Sequence, residues 1–174
     1  MIRTIVVPLD GSPAAEHALP WARFLARRCG AVIKFARVRA IAPAVAAGEG
    51  MLAYNPEVPE YTRTEENLYM AKVVAEWTDR DAQTTLTSDL LDSNDTIAGT
   101  LIQFGESNSA DLTIMTTHGH GPVSRMLFGS VSDEYLRRAP GPTLMVRADS
   151  AHTPAPTVEP HIRNVIVPLD GSKL

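Results

Sequence analysis

The chain of 174 residues holds a single cysteine, Cys29, so no disulfide can form within it. It also lacks a basic excess: 16 Lys and Arg stand against 20 Asp and Glu, a formal net charge of −4. The electrostatic footprint of a nucleic-acid-binding protein is therefore missing. No apolar run approaches the roughly 18 to 20 residues that span a bilayer. Met1-Ile2-Arg3 leads directly into a short apolar strand, with no small-residue cleavage site of a signal peptide. A soluble, cytoplasmic protein is expected, with neither a membrane nor a nucleic acid as partner. Cys29 closes the helical pattern Arg27-Arg28-Cys29-Gly30 and is expected to be a half-buried structural thiol. The length and the 44% hydrophobic content suit one domain with a well-buried core and are too small for two of ordinary size.

What is present reads as alternating strands and helices. Ile2 to Val7 is a short β-branched run, the signature of a strand buried on both faces. Ser12-Pro13 is a helix start, a side-chain cap followed by proline at the first helical position. Ala15, Leu19, Ala22 and Ala26 then recur at helical spacing to Gly30, with a kink expected at Pro20. Residues 31–38 read as a second strand, and Arg39 to Glu60 as a long irregular loop. Tyr61 to Arg80 is helical through Leu68, Val73, Val74 and Trp77. A strand over 83–91, a helix over 95–106, a strand over 111–115, a helix over 130–138 and a strand over 143–146 follow. This β-α-β-α-β-α-β-α-β order predicts a five-stranded parallel sheet with helices on both faces, an α/β Rossmann-like architecture. Ligands of such sheets bind outside the carboxyl ends of the strands.

A repeat marks the ends of the chain. Arg3 to Ser12, Arg-Thr-Ile-Val-Val-Pro-Leu-Asp-Gly-Ser, returns as Arg163 to Ser172, Arg-Asn-Val-Ile-Val-Pro-Leu-Asp-Gly-Ser. The expected organisation is a domain over 1–148, a proline-containing linker over 149–162, and the first strand and turn of a truncated second repeat over 163–174. A tandem two-domain protein is one explanation. An appended strand that adds to a sheet edge is the other, and an unpaired apolar strand is expected to find a partner or be disordered.

The chemistry concentrates in Met115-Thr-Thr-His-Gly-His-Gly-Pro-Val-Ser-Arg-Met-Leu-Phe-Gly-Ser130. It follows a buried strand and opens onto a helix. Glycines let main-chain amides approach a ligand, and successive amides can form an anion-binding nest. The helix start adds unpaired amides and a positive dipole end. Together these suit a polyphosphate, to which the Ser130 hydroxyl can donate.

At these residues the chain resembles the universal stress protein family, whose ATP-binding subgroup carries Gly-x-x-Gly, nine residues, then Gly-Ser or Gly-Thr after the fourth strand. Gly119 matches the second glycine, residues 120–128 fill the gap, and Gly129-Ser130 complete it, while Thr116 stands in place of the first glycine. The opening strand ending Val-Pro-Leu-Asp-Gly-Ser also looks like the family's start. The resemblance implies an adenine nucleotide alpha hydrolase-like fold. It further implies ATP as ligand, with Asp10 near the ribose and a possible Mg²⁺, and the Val38 backbone at the adenine. The implied binding set is Pro8, Asp10, Val38, Thr116, His118, Gly119, His120, Gly121, Arg125, Gly129, Ser130 and Val131. A regulatory, stress-response role with little or no turnover follows, in a homodimer or paired with a second repeat.

Plainer readings stay open beside these. The glycines can serve only to shape a turn, Ser130 only to cap a helix, and Asp10 only to hold an Asx-turn before the Ser12 cap. His118 and His120 without a third ligand are weak support for a metal. Arg125 can pair with a phosphate or be a solvated surface residue. Met115, Met126 and Met145 read as core. A Walker A loop needs Gly-Lys-Ser/Thr, which the chain lacks, and Gly119-x-Gly121 lacks a third glycine at Ser124. The histidine motif of nucleotidylyltransferases belongs after the first strand, not the fourth. A closed member of the same fold, acting as a dimerisation or interaction module, is the alternative function. A phosphoryl or nucleotidyl transferase would need a catalytic residue in the 39–60 stretch, and no candidate stands out there.

Overall fold

The computed structural model describes residues 1–40, 57–93, 95–117, 129–148 and 159–167. Five parallel strands form one sheet: β1 (Thr4–Pro8), β2 (Val32–Ala40), β3 (Leu86–Ser93), β4 (Leu112–Thr116) and β5 (Thr143–Val146), in the spatial order β3-β2-β1-β4-β5. The helices are α1 (Pro13–Glu16), α2 (Leu19–Cys29), α3 (Glu57–Arg80), α4 (Ile97–Ser107) and α5 (Ser130–Arg138). The element order predicted from the sequence is the one observed, apart from one split helix.

β1 lies in the middle, and its run of Ile5, Val6 and Val7 is fully buried. Because side chains alternate across a strand, Ile5 and Val7 enter the core under α1, α2 and α3, while Val6 enters the core under α4 and α5. Each such side chain contributes about 1.5–3 kcal/mol of burial. That is why a strand without polar alternation suits the inside of the sheet. α3 buries Met70, Val73 and Trp77 on its sheet side, whereas Leu68, expected on that face, is 65% exposed.

The local signals act as capping chemistry predicts. The Ser12 hydroxyl accepts from the Ala15 amide at 3.1 Å, with Pro13 opening α1. Gly30 ends α2 in the left-handed region, at φ 67°, where its lack of a Cβ removes the steric penalty. Pro20 corrects an expectation. It does not kink one helix, because the chain breaks at His17–Ala18 and Pro20 falls in the first turn of α2, where its missing amide has no intrahelical role. β2 runs two residues past Val38, and α3 begins four residues before Tyr61. Cys29 is half-buried against the core, as expected.

Residues 163–167 pair with no strand among the described residues, and Val165, Ile166 and Val167 are 76, 89 and 68% exposed. The run Ile5–Val7 that is fully buried in β1 is thus largely exposed in its counterpart Val165–Val167. Upstream, Glu159 holds the chain to α2 through Arg28 at 3.0 Å. No helix among the described residues is long and apolar enough to cross a membrane.

Candidate functional site

β1 and β4 are neighbours, but the chain leaves them toward opposite faces: α1 and α2 pack on one side of the sheet and α5 on the other. A crevice must open between two such exits, at their carboxyl ends. A cavity of about 400 Å³ lies there, within the roughly 300–1,000 Å³ of small-molecule sites. Pro8 to Asp10 form one wall, Met115, Thr116 and the start of α5 the other, and Ala36, Val38, Ile97 and Leu101 close the β2–α4 end. That end is apolar. Asp10, Thr116, Ser130 and Ser132 supply polar groups at the β1–β4 mouth.

Val38 reaches the cavity for a reason set by the ladder. β1 pairs with β2 only as far as Pro8 opposite Ala36, and the Ala36 carbonyl accepts from the Leu9 amide at 2.8 Å. Groups two residues along a strand turn to the same side. The Val38 amide and carbonyl therefore face the space past the end of β1.

Asp10 sits on an Asx-turn. Its Oδ1 accepts from the Ser12 amide at 2.9 Å and from the Ser12 hydroxyl at 2.6 Å. The Asx-turn reading of Asp10 is thus observed, and it orients the carboxylate at the cavity edge. Gly11, inside this turn, has φ 82°, which a side chain disfavours.

On the opposite wall the Gly129 amide donates to the Thr117 carbonyl at 2.7 Å, and the Ser132 hydroxyl donates to the carbonyls of Gly129 at 3.0 Å and Thr117 at 3.3 Å. The exit of β4 and the entry of α5 are therefore tied together. The Gly129 amide, expected to face a phosphate, is already engaged by this tie. The amides of Ser130, Val131 and Ser132 remain as the first-turn donors that a helix cannot bond internally, and α5 has no side-chain cap. They point a positive dipole end toward the cavity. Asp133, in the same turn, is paired with Arg137 at 3.1 Å.

Among the described residues no cluster of three His, Cys, Asp or Glu could hold a metal by itself. Asp10 is the one carboxylate among the described lining residues, the donor type through which Mg²⁺ is held together with a ligand's phosphates.

A doubly wound parallel sheet with its cavity at the reversal of strand order defines a Rossmann-like α/β protein that presents a helix start and a strand-end carboxylate to a ligand. The chain belongs to the universal stress protein family, whose family model matches residues 1–147. It is similar to a universal stress protein of Mycobacterium tuberculosis, with 28% identity over 97% of this chain and 54% of that protein. It is also similar to one of Methanocaldococcus jannaschii, 26% identical over 84% of this chain and 83% of that protein. The chain thus spans about half the length of the Mycobacterium relative. A solved universal stress family protein from Burkholderia pseudomallei superposes with a TM-score of 0.67 and 26% identity over 84% of this chain and 97% of that one. Universal stress protein UspA from Lactobacillus plantarum shares the fold with a TM-score of 0.62 at 19% identity, over 84% and 98%.

Of the residues singled out in the sequence, Pro8, Asp10, Val38, Thr116, Gly129, Ser130 and Val131 line this single cavity. His118, Gly119, His120, Gly121 and Arg125 lie outside the described residues. Thr116 is buried and paired with Val146 across the β4–β5 ladder, so its side chain is part of the wall. Sequence reasoning missed Ile97 and Leu101, which lie one turn apart on α4, and Ser132. It also took Met115 for core alone. The i, i+4 spacing of Ile97 and Leu101 was visible; the strand that this stripe would cover was not.

Proposed function

We propose that the cavity binds an adenine nucleotide, ATP with Mg²⁺, and that the protein is a regulatory, stress-response module with little or no turnover. The observation that carries this reading is convergence. Three segments far apart in sequence, residues 8–10, 38 and 116–131, carry the binding set that the family resemblance implies, and their described members meet in one cavity. The purine would lie against Val38, Ile97 and Leu101, within reach of the Val38 backbone. The phosphates would point to the start of α5, and Asp10 would hold the ribose or the metal. Two proteins of the same fold, 20 and 16% identical to this chain, are described as complexes with cAMP and dAMP. Those ligands belong to those proteins, and they are in keeping with this one.

The sequence holds no Gly-Lys-Ser/Thr of a Walker A loop, in keeping with binding without fast hydrolysis. A cytoplasmic location and a homodimer belong to the same reading. So does the assignment of 163–174 as the first strand of a second repeat, supported by the exposure of Val165 to Val167 where the matching β1 residues are buried. A second reading, an interaction module that binds no nucleotide, is favoured by two observations: Thr116 replaces a glycine, and the Gly129 amide is engaged by Thr117.

Calorimetry with ATP and ADP, with and without Mg²⁺, separates the two. Gly129 has φ −69° and ψ 160°, which any residue adopts, so Gly129→Ala carries no backbone penalty and tests space at the phosphates. Binding by the parent that Gly129→Ala weakens by about tenfold or more supports ATP. No binding by the parent, with a gain in Thr116→Gly, supports the second reading.

A further inference from the structure

One half-buried cation lies next to the cavity without lining it. Arg37 follows Ala36 on β2 and projects to the face opposite Val38, where Glu66 Oε1 is 3.2 Å from its Nη2 and the ring of Tyr69 is 5.4 Å from its Cζ. The Tyr69 hydroxyl in turn donates to Glu16 at 3.0 Å. Arg37 and Glu66 side chains keep only 19 and 12% of their exposure. Yet the Nε and Nη1 donors of Arg37 and the Oε2 of Glu66 are buried with no hydrogen-bond partner.

Such a pair is a poor way to stabilise a fold, since two apolar side chains of the same volume avoid the unsatisfied groups altogether. Its position suggests what it does instead. The guanidinium packs directly beneath Gly11: a Cβ at that position would collide with Nη1 and lie 3.4 Å from Cζ. Gly11 is the centre of the turn that aims Asp10 at the cavity. Among the described residues that line the cavity, Asp10 carries the only charge, and it is negative. A polyanionic ligand is favoured by a positive field there, and the pair presents its cationic end to the turn: Nη1 lies against Gly11, whereas Glu66 is met through Nη2.

We propose that Arg37 is a positioning residue of the cavity: it props the Asp10–Gly11–Ser12 turn from beneath and its charge makes the cavity prefer phosphorylated adenosine to adenosine itself. The preference rests on the nucleotide reading above; the propping of the turn does not. Both are tested with Arg37→Met/Glu66→Leu, which removes the pair together, with Arg37→Gln, which keeps a donor toward Glu66 and removes the charge, and with Arg37→Lys. Mg·ATP and adenosine are titrated by calorimetry, and hydrogen exchange of the Ser12 amide is followed in the ligand-free proteins. The double variant should unfold no earlier than the parent. It should lose ATP affinity by about fivefold or more while holding adenosine within about twofold, with Arg37→Lys recovering part of the loss. Ser12 should exchange faster. Equal losses for both ligands, or none for ATP, overturn the preference. Should the double variant not fold, Arg37→Gln carries the same comparison. If the parent binds neither ligand, the nucleotide reading fails by itself, and unchanged Ser12 exchange then overturns the propping role as well.

Discussion

The hydroxyls of Thr113 and Tyr135 lie 2.8 Å apart, joining the middle of β4 to the middle of α5 inside the core. Both residues are 4% exposed. Tyr135 stands five residues after Ser130, so the bond fixes how α5 lies on the sheet and thereby where its first turn meets the cavity. Burial raises the Tyr135 phenol above its ordinary range, and the hydrogen bond to Thr113 acts the other way.

Tyr135→Phe should cost about 1–3 kcal/mol of stability in urea denaturation, because the Thr113 hydroxyl is left buried without a partner. Thr113→Val added to it should recover most of that loss, since both polar groups are then gone. An uncompensated double variant would show that the loss comes from packing and not from the hydrogen bond.

Gly30→Ala should destabilise by about 1 kcal/mol, as the α2 C-cap holds φ 67° and nothing lies within 4 Å of an added Cβ. The cost is conformational and not steric, so Gly30→Asn should cost less. Equal thermal midpoints for parent and Gly30→Ala would contradict the left-handed cap.

Asp111 gives the fold a pH dependence at the end of the sheet away from the cavity. Its Oδ2 accepts from the amides of Arg3 at 2.7 Å and Thr4 at 3.0 Å, and these bonds hold its carboxyl below the ordinary 3.8. A lowered acid contributes stability above its unfolded pKa and loses it as pH falls through the folded one. Asp111→Asn should therefore lower the thermal midpoint at neutral pH, and the difference from the parent should vanish well below pH 3.8. A difference that persists in acid would assign the effect to something other than the charge.

Much of this protein was legible from local chemistry. Ser12-Pro13, Gly30 and the apolar run Ile5 to Val7 act on their nearest neighbours in the chain, so their roles as cap, stop and buried strand were readable directly. The same holds for the turn at Asp10, which is closed by a residue two positions on. α3 was harder: Met70 and not Leu68 faces the sheet, because which side of a helix is covered depends on where the sheet lies.

The sequence alone determined the alternation of strands and helices, the repeat of Arg3 to Ser12 at Arg163 to Ser172, and segments whose described residues line the cavity. Only the tertiary structure decided that β1 lies beside β4. That adjacency brings Asp10 to Thr116 and Ser130, while the pairing of β1 with β2 sets Arg37 under Gly11. The physical reason is range. Caps, turns and strand propensity act over a few residues, whereas strand order is chosen by how all the helices together cover the two faces of the sheet.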